Sequence, residues 1–428
     1  MVASNKQDAA APSAASLRGL DGLNFLMADV RDGVGPYLSV FLKGGEHWDS
    51  GAIGIAMAVS SVAAAICQVP AGLLVDGTRA KRLLIAASEL LVAAGCLTIA
   101  FFPHFWTVIV AQAILGSASA VIPPAIAALS LGLVGRRLLD SRISRNESFN
   151  HGGNFVAAGL AGVLGQFIGY DWIFYLVCAL AVASAVVVTL IKAAEIDHER
   201  ARGGEDKADG GKPVAFRNLL RRRDLRIFLA SVVLFHFGNA AMLPMAGQVL
   251  ALEHPGEDTL ALSACIIAAQ LVMVGVAWLV GHASARGIGR KTIFLVALGV
   301  LPVRGMLFSF TTSSYGVVAI QLLDGVAAGI FGVVSVLIAS DLMRGTGRFN
   351  LAQGLTALAV GIGAGLSNLV AGYIVQWFGY PVGFLSLAAI AVCALVFFAA
   401  LMPETRSANA GPDDTARGTG PAIQQASA

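Results

Sequence analysis

Charge is scarce in the long apolar stretches of this chain, so the few charges inside them are informative. Asp29, Arg31 and Asp32 stand within residues 20–42, and Arg304 and Asp324 stand within two later stretches. On a helix, Asp29 and Asp32 are three positions apart and share a face, whereas Arg31 points away from Asp29. Two adjacent carboxylates repel when both are ionised, and an apolar setting penalises the charged form, so one of the pair would hold a proton. The chemistry open to Asp29 and Asp32 is therefore reversible proton carriage, with a static Asp–Arg ion pair as the competing use. Arg304 and Asp324 fall at matching depths on neighbouring stretches and read as a structural ion pair, with anion binding by Arg304 as the lesser alternative. Arg31 and the uncharged Asn24, Gln112, His236, Asn239, Gln270 and Gln321 are candidate lining groups of a substrate cavity. Each uncharged one, taken alone, is more often a hydrogen-bonded link between helices.

The elements that carry these residues must cross a membrane. The chain has 428 residues, 57% hydrophobic and 13% charged, with mean hydropathy +0.76, against roughly 25% charged in soluble domains. Hydropathy and turn residues mark twelve spans: 20–42, 52–75, 83–102, 106–129, 149–167 and 172–191, then 225–249, 260–281, 292–310, 315–339, 351–375 and 381–401. Each is close to the ~20 residues that cross a bilayer as a helix. Residues 192–224 are polar and glycine-rich, a flexible hydrophilic linker between halves 20–191 and 225–402, and polar tails precede residue 20 and follow residue 402. Lysine and arginine concentrate in alternate loops, at Arg79, Lys81, Arg82, Arg136, Arg137, Arg142, Arg145, Arg286, Arg290, Lys291, Arg344 and Arg348, whereas the opposite loops hold only Lys43. Basic loops stay in the cytoplasm, which puts both termini there.

Other classes fit poorly. A net charge of +3 sorted into loops is no nucleic-acid surface. The five cysteines lack metal or disulfide spacing and read as small buried hydrophobes; no metal or cofactor is expected. The N-terminus has no signal-peptide pattern, so the first span would act as an uncleaved insertion signal. No phosphate-binding G-x-x-x-x-G-K-[ST] loop occurs.

The halves repeat. Ile168-Gly169-Tyr170 followed by Phe174 recurs 210 residues later as Phe378-Gly379-Tyr380 followed by Phe384, and Gln112-Ala113-Ile114-Leu115-Gly116 recurs 209 later as Gln321-Leu322-Leu323-Asp324-Gly325. Asp29 maps onto Asn239 by the same shift. Six spans followed by six of the same orientation is a parallel-repeat transporter plan. The loop after the second span, Gly72-Leu73-Leu74-Val75-Asp76-Gly77-Thr78-Arg79-Ala80-Lys81, resembles the G-x-L-A-D-R-x-G-R-[RK] loop of the major facilitator superfamily. Its second-half counterpart runs from His282 to Gly289-Arg290-Lys291, keeping Gly-Arg-Lys and losing the Asp.

The resemblance covers about 17–402. It implies an all-α membrane protein of twelve transmembrane helices in two pseudo-twofold-related six-helix bundles. The residues Gly72, Asp76 and Lys81, with Gly289, Arg290 and Lys291, would form a cytoplasmic latch in which Asp76 caps the span that starts near Leu351. It further implies a secondary transporter of the cytoplasmic (inner) membrane that moves a small solute by alternating access, coupled to protons. Efflux is the favoured direction, with proton-coupled uptake of a small organic or anionic solute as the alternative. The expected partners are a small-molecule substrate, protons and the lipid bilayer, and the expected state is a monomer. The fifth span, Gly159-Leu160-Ala161-Gly162-Val163-Leu164-Gly165, lacks the proline of drug/proton antiporters, and Gln112 stands where many of these carry arginine. A membrane-embedded enzyme or a non-transporting sensor is the rival of another class.

Overall fold

The computed structural model describes residues 12–30, 34–201, 219, 221–344, 346 and 349–406, and these contain helices and no strand. Among the described residues, ten helices are long and apolar enough to cross a membrane. They are Ser50–Gly77 (span 2), Lys81–Phe101 (span 3), Phe105–Val134 (span 4), Asp171–Leu190 (span 6), Arg223–Glu253 (span 7), Asp258–Ser284 (span 8), Arg290–Phe308 (span 9), Ser314–Met343 (span 10), Leu351–Phe378 (span 11) and Tyr380–Leu401 (span 12). Spans 1 and 5 depart from expectation. Span 1 is two pieces, Ala14–Val30 (1a) and Tyr37–Val40 (1b), the second continuing as a π-helical turn Phe41–Gly45. Span 5 is one helix, Arg136–Phe167, starting well before the expected 149. Its polar first half, with Arg145, Asn146 and Asn150, dilutes the hydropathy but is helical all the same.

Two more spans are broken. Span 4 divides into Phe105–Ser119 (4a) and Ile122–Val134 (4b), and span 7 into Arg223–Asn239 (7a) and Met242–Glu253 (7b). Proline explains all three interruptions: Pro36 precedes 1b, Pro123 and Pro124 open 4b, and Pro244 opens 7b. A proline fits the first turn of the helix it starts but cannot donate to the helix behind it. The Ala241 N–H freed at the break in span 7 donates to Ser367 Oγ of span 11 at 3.0 Å.

In the first half, span 3 packs on spans 4 and 6, span 1 on spans 5 and 6, and span 2 on span 4; in the second, span 9 packs on spans 10 and 12, span 7 on spans 11 and 12, and span 8 on span 10. Between the halves, span 2 runs along span 11, span 5 along span 8, and 1b against 7b. At the basic face, where the Lys/Arg loops lie, each half has its own apolar cluster, around Leu20, Ile85 and Leu129 in one and Phe228, Phe294 and Phe398 in the other. Toward the opposite face the first-half cluster around Phe41, Ile53 and Phe174 takes in Ala251 and Leu262 of the second half. Lipid is as apolar as leucine, so membrane helices associate by close packing of small residues. Spans 2 and 11 do so: a Cβ at Gly372 would lie 2.7 Å from the Ser50 carbonyl oxygen. Trp106, Trp172, Tyr315 and Trp377 are exposed at the opposite-face ends, the aromatic belt of a membrane interface.

The described parts of the linker and tail carry local structure. Helical turns at Ala193–Glu195 and His198–Ala201 open the linker, and span 7 starts at Arg223, inside the expected linker. Glu195 accepts from the Ser13 backbone N–H at 2.9 Å and from Ser13 Oγ at 3.0 Å, and the first of these bonds does most to pull its carboxyl down to about 2. The remainder of the linker, 202–218, and the tail from 407 lie outside the described residues. All five cysteines are free thiols; Cys96 and Cys265 are buried, but Cys393 is exposed, contrary to the uniform burial expected.

Candidate functional site

A cavity of about 240 Å³ lies where broken span 1 meets spans 2, 4 and 11. Ser60, Ser61, Gln112, Ser119 and Asn368 give it hydroxyl and amide groups, and Met57, Leu38 and Leu115 give it apolar surface. The span 1 wall begins at Val34 and Gly35, two residues past Asp32. Arg31, Asp32 and the side chain of Asp29 lie outside the described residues; the Asp29 backbone is the penultimate residue of 1a. The space suits a small solute held by hydrogen bonds within an apolar wall.

Of the seven expected cavity residues, Gln112 lines this one. Asn24 turns back on its own helix and donates to the Leu20 carbonyl at 2.7 Å. His236 packs against Phe235 and Phe331, with Nδ1 3.1 Å from the Val232 carbonyl oxygen. Gln270 meets His151 Nδ1 at 2.9 Å. Asn239 and Gln321 are taken up by Arg304. In each case the polar group is satisfied by backbone or by a neighbouring helix, the commoner fate of an intramembrane polar side chain. The serines and Asn368 escaped the sequence reading because small polar residues are frequent in Ala/Gly-rich spans; the prolines that break spans 1 and 4 were the usable signal.

Arg304 is 1% exposed and sits 2.9 Å from Asp324 through Nη1. Nη1 also donates to Asn239 Oδ1 at 2.5 Å and Nη2 to Gln321 Oε1 at 2.8 Å, while Gln321 Nε2 donates to Asp324 Oδ2 at 2.9 Å. One guanidinium thus joins spans 7, 9 and 10, and it reaches span 7 at the last residue before its break. Two further buried acids were missed. Asp21 of 1a accepts from Arg142 at 2.5 Å and from Arg145 at 2.7 Å. Arg142, read as a loop charge, is 5% exposed, because span 5 extends through it. Glu89 of span 3 is fully buried, with Oε1 accepting from Ser184 of span 6 at 2.5 Å and Oε2 unpartnered. Among the described residues no group of three or more His, Cys, Asp or Glu side chains could hold a metal ion.

The two loop motifs are in different states. Asp76 is exposed, and among the described residues it has no hydrogen-bond or ion-pair partner, so the expected cap on span 11 is not made here. Nothing lies within 4 Å of a Cβ built at Gly72. Lys81 is fully buried, with Nζ donating to the Thr78 carbonyl at 2.7 Å. In the second half, Gly289 starts span 9, and the backbone N–H groups of Arg290 and Lys291 donate to Glu404 at 2.8 and 3.1 Å. Arg290 also lies 3.5 Å from Asp341 of span 10.

Among the described residues, the hydrogen bonds between the halves lie from mid-depth to the opposite face. They are Tyr37 with Ser263 (2.6 Å), Ser39 with the Pro244 carbonyl (3.0 Å), Ser50 with Tyr380 (3.2 Å), His151 with Gln270 (2.9 Å), Tyr170 with Asp258 (2.5 Å) and Thr259 with the Gly162 carbonyl (3.3 Å). Close approach of spans 2 and 11 runs as far as Ala65 against Gly361, whereas Gly72 and Gly354 nearer the basic face meet open space.

Helices broken beside a polar cavity, with halves sealed on one side of it, fit a transporter. The model of the Major Facilitator Superfamily matches residues 21–303 and 279–426. The chain belongs to that superfamily. An uncharacterised MFS-type transporter of Mycobacterium tuberculosis, recorded in strains CDC 1551 / Oshkosh and ATCC 25618 / H37Rv, is 47% identical over 391 residues, covering 91% of this chain and 93% of that one. Among solved structures, the nucleoside transporter NupG matches with TM-score 0.66 at 15% identity, covering 90% of this chain and 98% of that one. A D-xylose-proton symporter matches with TM-score 0.69 at 14% identity, covering 92% and 98%. A bacterial homologue of the human lysosomal transporter Spinster matches with TM-score 0.70 at 11% identity, covering 89% and 95%. At such identities these structures establish the MFS fold alone. The protein is a membrane-embedded transporter of this superfamily and not an enzyme.

Proposed function

We propose that this MFS transporter moves a small solute across the cytoplasmic membrane by proton-coupled alternating access. Its halves, 20–191 and 225–402, rock about the cavity, the basic face, the linker 192–224 and both termini lie in the cytoplasm, and a monomer suffices. The observation that carries the reading is the pair of breaks in spans 1 and 7, whose prolines Pro36 and Pro244 stand 208 residues apart, close to the repeat shift. Broken helices put unwound backbone and half-helix ends beside substrate and coupling ions. On this reading the cavity, sealed toward the opposite face, is open inward. The latch from Asp76 to span 11 then belongs to the outward-open state, in which the basic face closes.

Asp29, whose backbone is near the end of 1a, and Asp32, three residues on in sequence, are assigned as coupling acids. They adjoin the cavity in sequence, and their mutual repulsion favours one bound proton. Arg304 with Asp324 is assigned a static role. Export is the working direction, with proton-coupled uptake as the alternative. The test is transport of candidate solutes in reconstituted vesicles with an imposed proton gradient, in which the sign of accumulation reads the direction. Asp29→Asn and Asp32→Asn keep size and hydrogen bonding while removing the titrating group. At least one should abolish gradient-driven accumulation yet leave passive exchange. Full accumulation in both would remove the acids from the mechanism. Labelling of Glu205→Cys from outside intact cells would reverse the orientation.

A further inference from the structure

The repeated Gly-Tyr turns have no part in the cavity, yet both reach across the halves. Gly169 (φ +143°) and Gly379 (φ +84°) take backbone conformations that L side chains rarely adopt, and each places a tyrosine at the start of the last span of its half. Tyr170 Oη donates to Asp258 Oδ2, at the start of span 8, at 2.5 Å. Tyr380 Oη donates to Gln248 in its own half at 3.1 Å and accepts from Ser50 Oγ, at the start of span 2, at 3.2 Å. Spans 2 and 8 are themselves repeat partners: Asp49-Ser50 recurs 209 residues later as Asp258-Thr259. Both contacts lie at the opposite face, where the halves are sealed, and both are shielded, with Asp258 1% and Ser50 5% exposed.

We infer that Tyr170 with Asp258 and Tyr380 with Ser50 are a twofold-related pair of gating contacts that hold the opposite face shut and must part for the cavity to open there. The inference rests on the alternating-access reading. The geometry supplies the reason for a gate and not mere packing. Each hydroxyl joins bodies that must separate, each is carried on a turn that fixes its position, and the same device occurs once per repeat. The two are unequal. A hydrogen bond to a carboxylate is stronger than one between neutral groups, so the Tyr170 contact is the dominant one. Tyr170 also packs against the π-helical turn of span 1, where a Cβ at Gly44 would lie 2.8 Å from its hydroxyl.

The test uses the full chain in a background whose five native cysteines are alanine, with Ser61→Cys in the cavity wall as reporter. An impermeant maleimide is applied to vesicles of either orientation. Tyr170→Phe should raise the rate of labelling through the opposite face by about tenfold, the change that 1.4 kcal/mol produces. Tyr380→Phe should raise it severalfold, and the double variant more than either. Labelling through the basic face should fall correspondingly. Asp258→Asn, which keeps the shape of the contact but removes its charge, should give an intermediate increase, and it stands in if a tyrosine variant does not fold. Slow opposite-face labelling that none of these variants changes would overturn the gate and leave the seal to the packing of spans 2 and 11. A reporter that is never labelled through the opposite face in the parent or any variant would instead overturn alternating access.

Discussion

The two repeats use equivalent residues in opposite ways. Gln112 of span 4 and Gln321 of span 10 are partners in the repeat, but Gln112 lines the cavity, whereas Gln321 is fully buried between Arg304 and Asp324. Span 4 is broken after Ser119 and span 10 is unbroken from Ser314 to Met343. Span 1 is interrupted at the turn 34–36, and span 7 at Ala240 and Ala241, where Asn239 is tied to Arg304 and Ala241 to Ser367. At this level the second half commits its glutamine to the Arg304–Asp324 pair, while the first leaves its glutamine facing the cavity. Duplication therefore conserves the architecture without conserving the site: a single arginine that ties three spans together turns lining groups into scaffold.

The largest test of that contrast is Arg304. Arg304→Met leaves Asp324, which is 19% exposed and among the described residues keeps only the Gln321 hydrogen bond, without its cation. Unpairing a fully buried charge costs about 3–5 kcal/mol, and the partial exposure of Asp324 puts the loss here toward or below the lower end of that range. A marked fall in the unfolding midpoint in detergent is expected. Replacing both partners, Arg304→Met with Asp324→Leu, should restore much of the stability, since an apolar pair of similar volume is often neutral relative to a buried ion pair. The double variant should still transport. If it is stable but transport is lost, Arg304 touches substrate or proton, and the second half is as active as the first.

A smaller effect separates the two glutamines. Gln321→Leu should destabilise the fold by about 1–3 kcal/mol, because it strips a partner from the buried guanidinium. Gln112→Leu should leave stability within about 0.5 kcal/mol and instead weaken apparent substrate affinity by about tenfold, the loss of one hydrogen bond. Thermal unfolding and transport KM, measured on both variants, give the comparison directly. Equal effects of the two substitutions on stability would remove the asymmetry.

The superfamily was legible in the sequence because the bilayer leaves few options: helical spans, basic loops on one side and a repeat shift near 210 are all one-dimensional signals. Pairing is not one-dimensional. Arg304 could be matched to Asp324 by depth, but nothing along the chain announces that Asn239 and Gln321 would join them, or that Arg142 folds inward onto Asp21 more than a hundred residues away. Glu89 stood in plain view inside an apolar span and was passed over, as a lone acid with no motif around it. The cavity serines lacked any signature, since a serine in an alanine-rich helix looks the same whether it faces a neighbour or a void. What breaks a helix was readable, at Pro36, Pro123 and Pro244; what the break makes room for depends on packing.

The smallest expected effects concern the two loop motifs, where the same contrast reappears at the basic face. The second-half copy is engaged within its own half, because Glu404 accepts from two N–H groups at the start of span 9. In the first-half copy, Asp76 has no polar partner among the described residues. A carboxylate at a helix N-terminus contributes about 0.3–1 kcal/mol, so Glu404→Gln should lower stability by about that amount without altering the balance between open states. Asp76→Asn should do the reverse. Stability should be unchanged, because among the described residues Asp76 has no hydrogen-bond or ion-pair partner, and the population closed at the basic face should fall if that is where Asp76 finds its helix end. Accessibility of Ser61→Cys from the basic face reads this balance, with an increase of about two- to fivefold expected for Asp76→Asn and none for Glu404→Gln. Equal accessibility in the two variants would make both loops simple orientation signals, and the difference between the halves would then be confined to the membrane interior.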